Sequence, residues 1–566
     1  MSSRHSKTWL QNRRFGIVID AGSSGSRIHI YSWISSEHLR ETAPVHDFLL
    51  PTIEPGVESD SPYSADWTKR TEPGIAEFKD RPEDVGEHLE SLLEHALEVI
   101  PEAEVQRTPI YLFATAGLRL VQDDIRKQIL DNSCNYIKEI YHFNIGECSD
   151  HIKNITGEEE GIYGWVAINY LMGGFDNGGV KMIEPSVPGS EQHDSEDPES
   201  IPTTDLDSDG SSDSHRHTLG FLDMGGASTQ IAFEPSSKAS EEHANDLTKV
   251  SLRTLDGKSL EYNVFVTTFL GYGSNQARRR YVKDYLLESN KDWLETQKPG
   301  IIEDPCLPKR LQLNETHMTP HVPLIGSGSF TECLKRVEVL LNKNKECIDV
   351  PCLFNGVHTP PIDFNINTFI GVSEYWYSAH DILGLGGAYD YAEFERKSAE
   401  FCNSEWEDIK AQPEYQSQSP DRLEMQCFKS AWLSNVLHGG FGLPRYGEKG
   451  AVGSEEQSNE VLEKAEESIK NKNWRPPYQS INAIKDIQVT WTLGAMLLIS
   501  SGSLGPLRGT GSRGVGSEGS HRSTHQVLPP ADHKAPHEDT YPERMLDNYN
   551  HFVLLAIVLF ALAIFW

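Results

Sequence analysis

Residues Phe15–Trp33 read FGIVIDAGSSGSRIHIYSW. An apolar run enters a Gly/Ser turn through a single aspartate, Asp20, and a second alternating run leaves it. Period-two alternation bounded by small residues predicts two strands joined by a tight turn. Taken alone, the aspartate could merely cap that turn, because Asp bonds its own backbone in such places. The rest of the chain decides which role it has.

A counterpart stands two hundred residues on. DAGSSGSRIHI (Asp20–Ile30) and DMGGASTQIAF (Asp223–Phe233) superpose without a gap, with Asp20 on Asp223, Gly22 on Gly225 and Ile28 on Ile231. Each follows an apolar strand, GIVI or LGFL, and leads into an alternating one. Gly and Ser let backbone N–H groups approach phosphate oxygens, which makes an anion-binding nest. An aspartate at each strand end can hold a hard divalent cation, directly or through water. Two such loops facing one another would clamp a polyphosphate and its metal from both sides.

Two segments between them carry further chemistry. In NITGEEEGIYGWVAINYLMG (Asn154–Gly173), Glu158, Glu159 and Glu160 open a predicted helix. The helix dipole alone favours acidic residues there. A carboxylate beside a phosphate clamp can also act as general base toward an attacking water. The buried-strand pattern of TPIYLFATAGLRL (Thr108–Leu120) ends in ATAGLR, which sets the Thr115 hydroxyl at a strand end, as phosphate contact requires. PEDVGEHLESLLEHALEVIP (Pro82–Pro101) has Val85, Leu89, Leu92, Leu93, Ala96 and Ile100 at helical spacing. Strands alternating with helices over residues 15–180 predict an α/β lobe with a mixed sheet.

The 566 residues exceed the size at which one core stops growing, so two lobes are expected. A net charge of −33 argues against nucleic acid as a partner. An anionic substrate would need a bound divalent cation to approach such a chain. Residues 186–218 are acidic and Ser/Asp/Pro-rich and are read as a disordered insertion. Residues 501–550 are Gly/Ser/Pro/His-rich and are read as a flexible linker.

Residues Phe552–Trp566, FVLLAIVLFALAIFW, are all apolar. As a helix they span ~22 Å against a ~30 Å hydrocarbon core. Tyr549 and His551 would extend the span, and a lipid-anchor signal is the rival reading. Either way, attachment to a membrane through residues 551–566 is expected. WTLGAMLLI (Trp491–Ile499) is too short to cross a bilayer and is read as a buried core element. Residues Met1–Arg14 are polar and basic, without the apolar stretch of a secretory leader.

Eight cysteines lie between Cys134 and Cys427. Cys347 and Cys352 suit a short disulfide loop, and Cys134/Cys148, Cys306/Cys333 and Cys402/Cys427 could pair as sequence neighbours among many connectivities. The sequons at Asn154 and Asn314 fit a secretory compartment.

Five segments, DAGSSGSR, ATAGLR, GEEEGIYGW, LDMGGASTQI and WTLGAML, resemble in this order the apyrase-conserved regions of the nucleoside triphosphate diphosphohydrolases, the apyrase (GDA1/CD39) family. TEPGI (Thr71–Ile75) and FLGYGSNQARRRY (Phe269–Tyr281) are similar to further stretches of it, and the organisation is most similar to the family's fungal Golgi branch. The resemblance implies two ribonuclease-H-like lobes of the actin/hexokinase/Hsp70 superfamily with the active site in the cleft between them. The expected division is a tail at 1–14, lobe I at 15–160, lobe II at 161–475, a return to lobe I at 476–500, then the linker and the membrane segment.

Carried over by motif, Asp20 and Asp223 would hold Ca²⁺ or Mg²⁺, or Mn²⁺, through its water shell. Ser23, Ser24, Gly25, Thr115, Gly225, Gly226 and Ala227 would bind phosphate. The family's catalytic glutamate directly precedes G-x-x-G-W, which selects Glu160, with Ser228 and Gln230 orienting the water. Arg27 and Arg119 would be phosphate or structural partners. Tyr377 and Phe441 would sandwich the base or else lie in the core, and Ser274 stands where cell-surface members often carry a basic residue. The implied activity is hydrolysis of nucleoside tri- and diphosphates to monophosphates in the Golgi lumen. A sugar-kinase-like phosphotransferase on the same fold and a non-catalytic nucleotide-binding module are the alternatives.

Overall fold

The structure is a computed structural model. It describes residues 12–42, 50–55, 67–175, 218–255, 257–290, 301–315, 322–364, 366–445, 476–484, 487–502 and 527–528. The acidic insertion as far as residue 217, nearly all of the expected linker and the apolar segment at 551–566 lie outside these residues.

The opening stretch is the predicted hairpin. Strands β1 (Arg13–Ala21) and β2 (Ser26–Ile34) pair antiparallel, with Asp20 opposite Arg27. Ile17, Val18 and Ile19 are all fully buried, so this strand is covered on both faces. β3 (Thr68–Thr71) pairs with β2. Helix α1 (Val85–Val99) turns Val85, Leu89, Leu92, Leu93 and Ala96 into the core, the face its spacing predicts. β4 (Ile110–Ala114) lies parallel to β1, helix α2 (Asp123–Ile140) follows, and β5 (Ile152–Asn154) is parallel to β4.

Helix α3 (Gly157–Met172) is framed by a capping box between Thr156 and Glu159 and stops at Gly173, which is left-handed at φ 71°. The second sheet then repeats the first. β6 (Gly220–Met224) and β7 (Ser228–Phe233) form a hairpin with Asp223 opposite Gln230. In both hairpins the aspartate faces the residue seven positions on. β8 (Leu247–Arg253) and β9 (Ser259–Leu270) extend the β7 side, and helix α4 (Ser274–Arg280) follows. β10 (Phe369–Ser373) is parallel to β6, helix α5 (Pro420–Ser434) follows it, and β11 (Tyr478–Ser480) is parallel to β10. The chain then enters helix α6 (Trp491–Gly502).

Two helices fill the space between the sheets. Val18, Tyr111 and Phe113 of the first sheet share one apolar cluster with Phe221, Val264, Val266 and Ile370 of the second, and α3 and α6 both contribute to it. The glycines of GEEEGIYGW explain the close approach. Gly157, Gly161 and Gly164 fall on one helical face. A Cβ on Gly161 would lie 2.7 Å from Val266 Cγ2, and one on Gly157 or Gly164 would collide with Thr268 or the Phe221 ring. Gly494 of α6 likewise admits the carbonyl of Tyr163 where the helices cross. The segment WTLGAMLLI is thus buried core, as expected.

Two expected boundaries move. A division at 160/161 would cut α3, which packs as one piece against the second sheet. Residues 476–500 do not return to lobe I as a unit either, because Tyr478–Ser480 extend the second sheet while α6 packs between the two. All eight cysteines pair with their sequence neighbours: Cys134–Cys148, Cys306–Cys333, Cys347–Cys352 and Cys402–Cys427.

Candidate active site

The hairpin loops close in the same way. Gly22 N–H donates to Gly25 O at 3.0 Å, and Gly225 N–H donates to Ser228 O at 3.0 Å. Each loop is braced from behind. A Cβ on Gly117 would lie 2.7 Å from Ser23 Cα, one on Gly74 would collide with Ser23 O, and Arg70 Nη2 donates to Ser24 Oγ at 3.3 Å. The second loop rests on FLGYGSNQ. Ser274 N–H donates to Gly225 O, Asn275 and Gln276 N–H to Gly226 O, and Gly271 N–H to Ala227 O, at 2.8 to 3.0 Å. The N–H groups of Ser23, Ser24, Gly226 and Ala227 donate to no other backbone group among the described residues, so they remain available to an anion. The loops also meet, since a Cβ on Gly226 would lie 2.8 Å from Ser23 Oγ.

Three carboxylates gather beside this junction. Asp20 lies half-buried near the end of β1, and desolvation, then Glu160, then Asp223 push its pKa up to about 8, against Arg27 and Arg70. Asp223 is 5 % exposed, and burial followed by Glu160 raises it to about 7. Its Oδ1 is buried without a partner. Of the three glutamates opening α3, Glu159 serves the capping box and binds Lys153, and Glu158 is exposed. Glu160 alone is buried, and burial raises its pKa while the Arg119 guanidinium opposes the rise.

Glu160 Oε2 accepts from Arg119 Nη2 at 2.6 Å and from Gln230 Nε2 at 3.1 Å. Gln230 Nε2 also reaches Ser228 Oγ at 2.7 Å and Thr268 Oγ1 at 3.3 Å, while Gln230 Oε1 is buried without a partner. Thr115, 6 % exposed at the end of β4, makes no capping bond with its hydroxyl. The residues expected to bind phosphate, metal and water therefore converge from both sheets and α3.

The remaining expected residues take the following places. Phe441 is 5 % exposed in the aromatic core of the second lobe, 5.7 Å from Phe354 and 6.2 Å from Phe269 between ring centroids. Tyr377 lies under the Arg422 guanidinium at 4.8 Å. No ring contact joins the two among the described residues, and Phe441 could sandwich a base only by leaving its core. Ser274 is buried beneath the second loop, and its position braces the backbone of that loop in this chain. Arg119 pairs with Glu160, which makes it a structural partner. Asn154 spends its amide on the carbonyls of Ala114, Thr115 and Ile155, which is incompatible with a glycan on that nitrogen in the folded chain.

Two contributors escaped sequence reading. Thr268 on β9 stands just before the FLGYGSNQARRRY stretch, and its register opposite Gln230 brings it in. Asn154 was legible only as a sequon.

The donor set suits a hard cation. Asp20, Asp223 and Glu160 offer only oxygen, repel one another, and leave Asp223 Oδ1 without a partner, a combination that a divalent ion would relieve. A doubled sheet, paired Gly/Ser loops and a carboxylate cluster between them define a two-lobed phosphate-handling α/β protein.

The sequence comparisons are more specific. The profile of the GDA1/CD39 (nucleoside phosphatase) family matches residues 6–505. The chain belongs to this family. It is 37 % identical over 522 residues to the Golgi apyrase of Saccharomyces cerevisiae, covering 91 % of this chain and 74 % of that one. It is 33 % identical over 499 residues to the nucleoside-diphosphatase mig-23 of Caenorhabditis elegans, covering 86 % and 77 %. A crystal structure of nucleoside triphosphate hydrolases from Neospora caninum aligns with a TM-score of 0.50 at 16 % identity, over 87 % of this chain and 92 % of that one, a likeness of fold. The protein is a hydrolase, and membership sets aside the phosphotransferase and non-catalytic alternatives.

Proposed function

We propose that the chain is a metal-dependent apyrase that hydrolyses nucleoside tri- and diphosphates to monophosphates by in-line attack of water on the terminal phosphoryl group. The observation that carries this reading is the placement of Glu160, a buried carboxylate held by Arg119 and Gln230 beside two facing Gly/Ser loops. Backbone amides of Ser23, Ser24, Gly25, Gly226 and Ala227, with the Thr115 hydroxyl, hold the terminal phosphate, and Gly225 shapes its loop through the bond to Ser228 O. Gln230 Oε1, buried and unpartnered, accepts one hydrogen of the attacking water, and Ser228 orients it further. Glu160 takes the other proton: Arg119 and Gln230 both occupy Oε2, and no hydrogen bond is found on Oε1 among the described residues. A Ca²⁺, Mg²⁺ or Mn²⁺ ion held by Asp20 and Asp223 supplies charge neutralisation of the phosphates.

On this reading the first lobe ends before Gly157, and the second begins with α3. The names of the fungal relatives support work in the Golgi, where removal of GDP and UDP left by glycosyltransferases is the fitting task. The apolar run Phe552–Trp566 supports attachment to the membrane, and four disulfides support a lumenal catalytic domain. Among the described residues no helix is long and apolar enough to cross a membrane. Phosphate release from GDP, UDP, ADP and ATP, with and without chelator, tests the activity; release unaffected by chelator would count against it. Protease protection in sealed vesicles tests the topology.

A further inference from the structure

A second cluster of metal-ligating side chains stands apart from the cleft. His243 caps the short helix Ser237–Glu242, Asp246 ends the turn Ala244–Asp246, and His358 lies 115 residues beyond His243, just past the Cys347–Cys352 disulfide. β7 begins at the cleft with Ser228 and runs ~17 Å to Phe233 before this segment starts, so the cluster lies beyond the remote end of that strand. All three side chains are 11 to 16 % exposed.

The geometry is that of a metal triangle. His358 Nε2 lies 3.2 Å from His243 Nδ1 and 3.3 Å from Asp246 Oδ2, and His243 Nδ1 lies 3.5 Å from Asp246 Oδ2. Ligands at ~2.0–2.1 Å from a tetrahedral zinc ion stand about 3.3–3.4 Å apart, which matches all three sides. The tautomer of His358 is fixed as well. Its Nδ1 is 2.9 Å from the backbone carbonyl of Asp349, and a carbonyl only accepts, so Nδ1 carries the hydrogen. Nε2, the other ring nitrogen, therefore faces a carboxylate oxygen and a second imidazole nitrogen. A proton there would serve one neighbour, whereas a cation serves all three. A backbone carbonyl on the far nitrogen is also the usual outer support of a metal-bound histidine.

We propose that His243, Asp246 and His358 bind one Zn²⁺-class cation, with water completing the tetrahedron. Two imidazoles and one carboxylate favour such a borderline ion over Ca²⁺ or Mg²⁺, which take all-oxygen sites like the cleft. The ion clips the turn after β7 to the disulfide loop, a structural role separate from hydrolysis.

The test uses the full-length chain, stripped with chelator and held in excess Mg²⁺ so that the carboxylate cleft is occupied. Zn²⁺ titration should show one tight equivalent, a thermal midpoint that rises with Zn²⁺, and, with Co²⁺ instead, the visible absorption of a tetrahedral site. His243→Ala, His358→Ala and Asp246→Asn should each lose that equivalent and the Zn²⁺-dependent rise, with far-ultraviolet circular dichroism as the check on folding. Retention of the equivalent in the folded variants overturns the proposal. If a variant does not fold, the wild-type Co²⁺ spectrum decides alone, and absence of tetrahedral bands overturns the site.

Discussion

Arg119 and Glu160 are joined at 2.6 Å across the seam between the lobes, the arginine from the turn after β4 and the glutamate from the first turn of the helix that lies on the second sheet. Their side chains are 13 % and 10 % exposed, so the pair is largely desolvated. Burial raises the Glu160 pKa and the guanidinium opposes it. The contact thus links the packing of the two sheets to the charge of the proposed base.

Arg119→Met removes the opposing charge, so the Glu160 pKa rises further. The acid limb of kcat/KM for nucleoside diphosphate hydrolysis should move to higher pH, while the alkaline limb stays in place. Leaving the carboxylate unpaired in a buried position costs about 3–5 kcal/mol, which a lowered denaturation midpoint would reveal. A limb that does not move would show that Arg119 does not act on the base.

Asp223→Asn should separate function from stability. It removes one of three mutually repelling carboxylates, so the chelator-treated protein should melt at a higher temperature than wild type. Hydrolysis should be lost together with the shift in melting that Ca²⁺ or Mg²⁺ produces in wild type. A variant that still responds to the cation would remove Asp223 from the metal site.

The metal-free protein should lose stability as pH rises. Asp20 and Asp223 hold protons more tightly when folded, with values raised from 3.8 to about 8 and about 7. Their contribution is complete below about pH 4 and is lost as pH climbs through 7 and 8, because the unfolded chain then binds fewer protons than the folded one. Saturating Ca²⁺ should abolish this slope by favouring the ionised forms. Denaturant midpoints across pH 5–9, with and without the ion, measure it.

Gly164→Ala puts a methyl group into the Phe221 ring at the contact of α3 with β6. Overpacking of this kind costs about 1–3 kcal/mol or more. Because α3 carries Glu160, activity should fall with stability. An unchanged melting temperature would show that the helix does not seat so closely.

Much of this was legible because two local signals were repeated. The Asp20 and Asp223 hairpins share one alternation and one turn chemistry, and their duplication identified the doubled fold. The glycines at 157, 161 and 164 were read only as part of a motif, since the helix–sheet contact they permit depends on Thr268, Val266 and Phe221, all distant in sequence. In the sequence, Phe441 and Tyr377 admit both a base-binding and a core reading for the same reason. Whether an aromatic ring lines a cleft or fills a core is decided by neighbours such as Phe354 and Arg422, which no local pattern exposes. The expected boundary at 160/161 falls inside α3, and a helix at a lobe junction has no compositional edge to mark where one lobe ends. Arg119 reads from the sequence as a phosphate or a structural partner, and tertiary structure places it on Glu160.

The most direct test is Glu160→Gln, assayed for phosphate release from GDP and UDP in saturating Mg²⁺ or Ca²⁺. The amide keeps the shape of the side chain and a hydrogen bond toward Arg119 but cannot take a proton from water. The account predicts a loss of about 100- to 10,000-fold in kcat with KM and melting temperature little changed. Hydrolysis at the wild-type rate would contradict it.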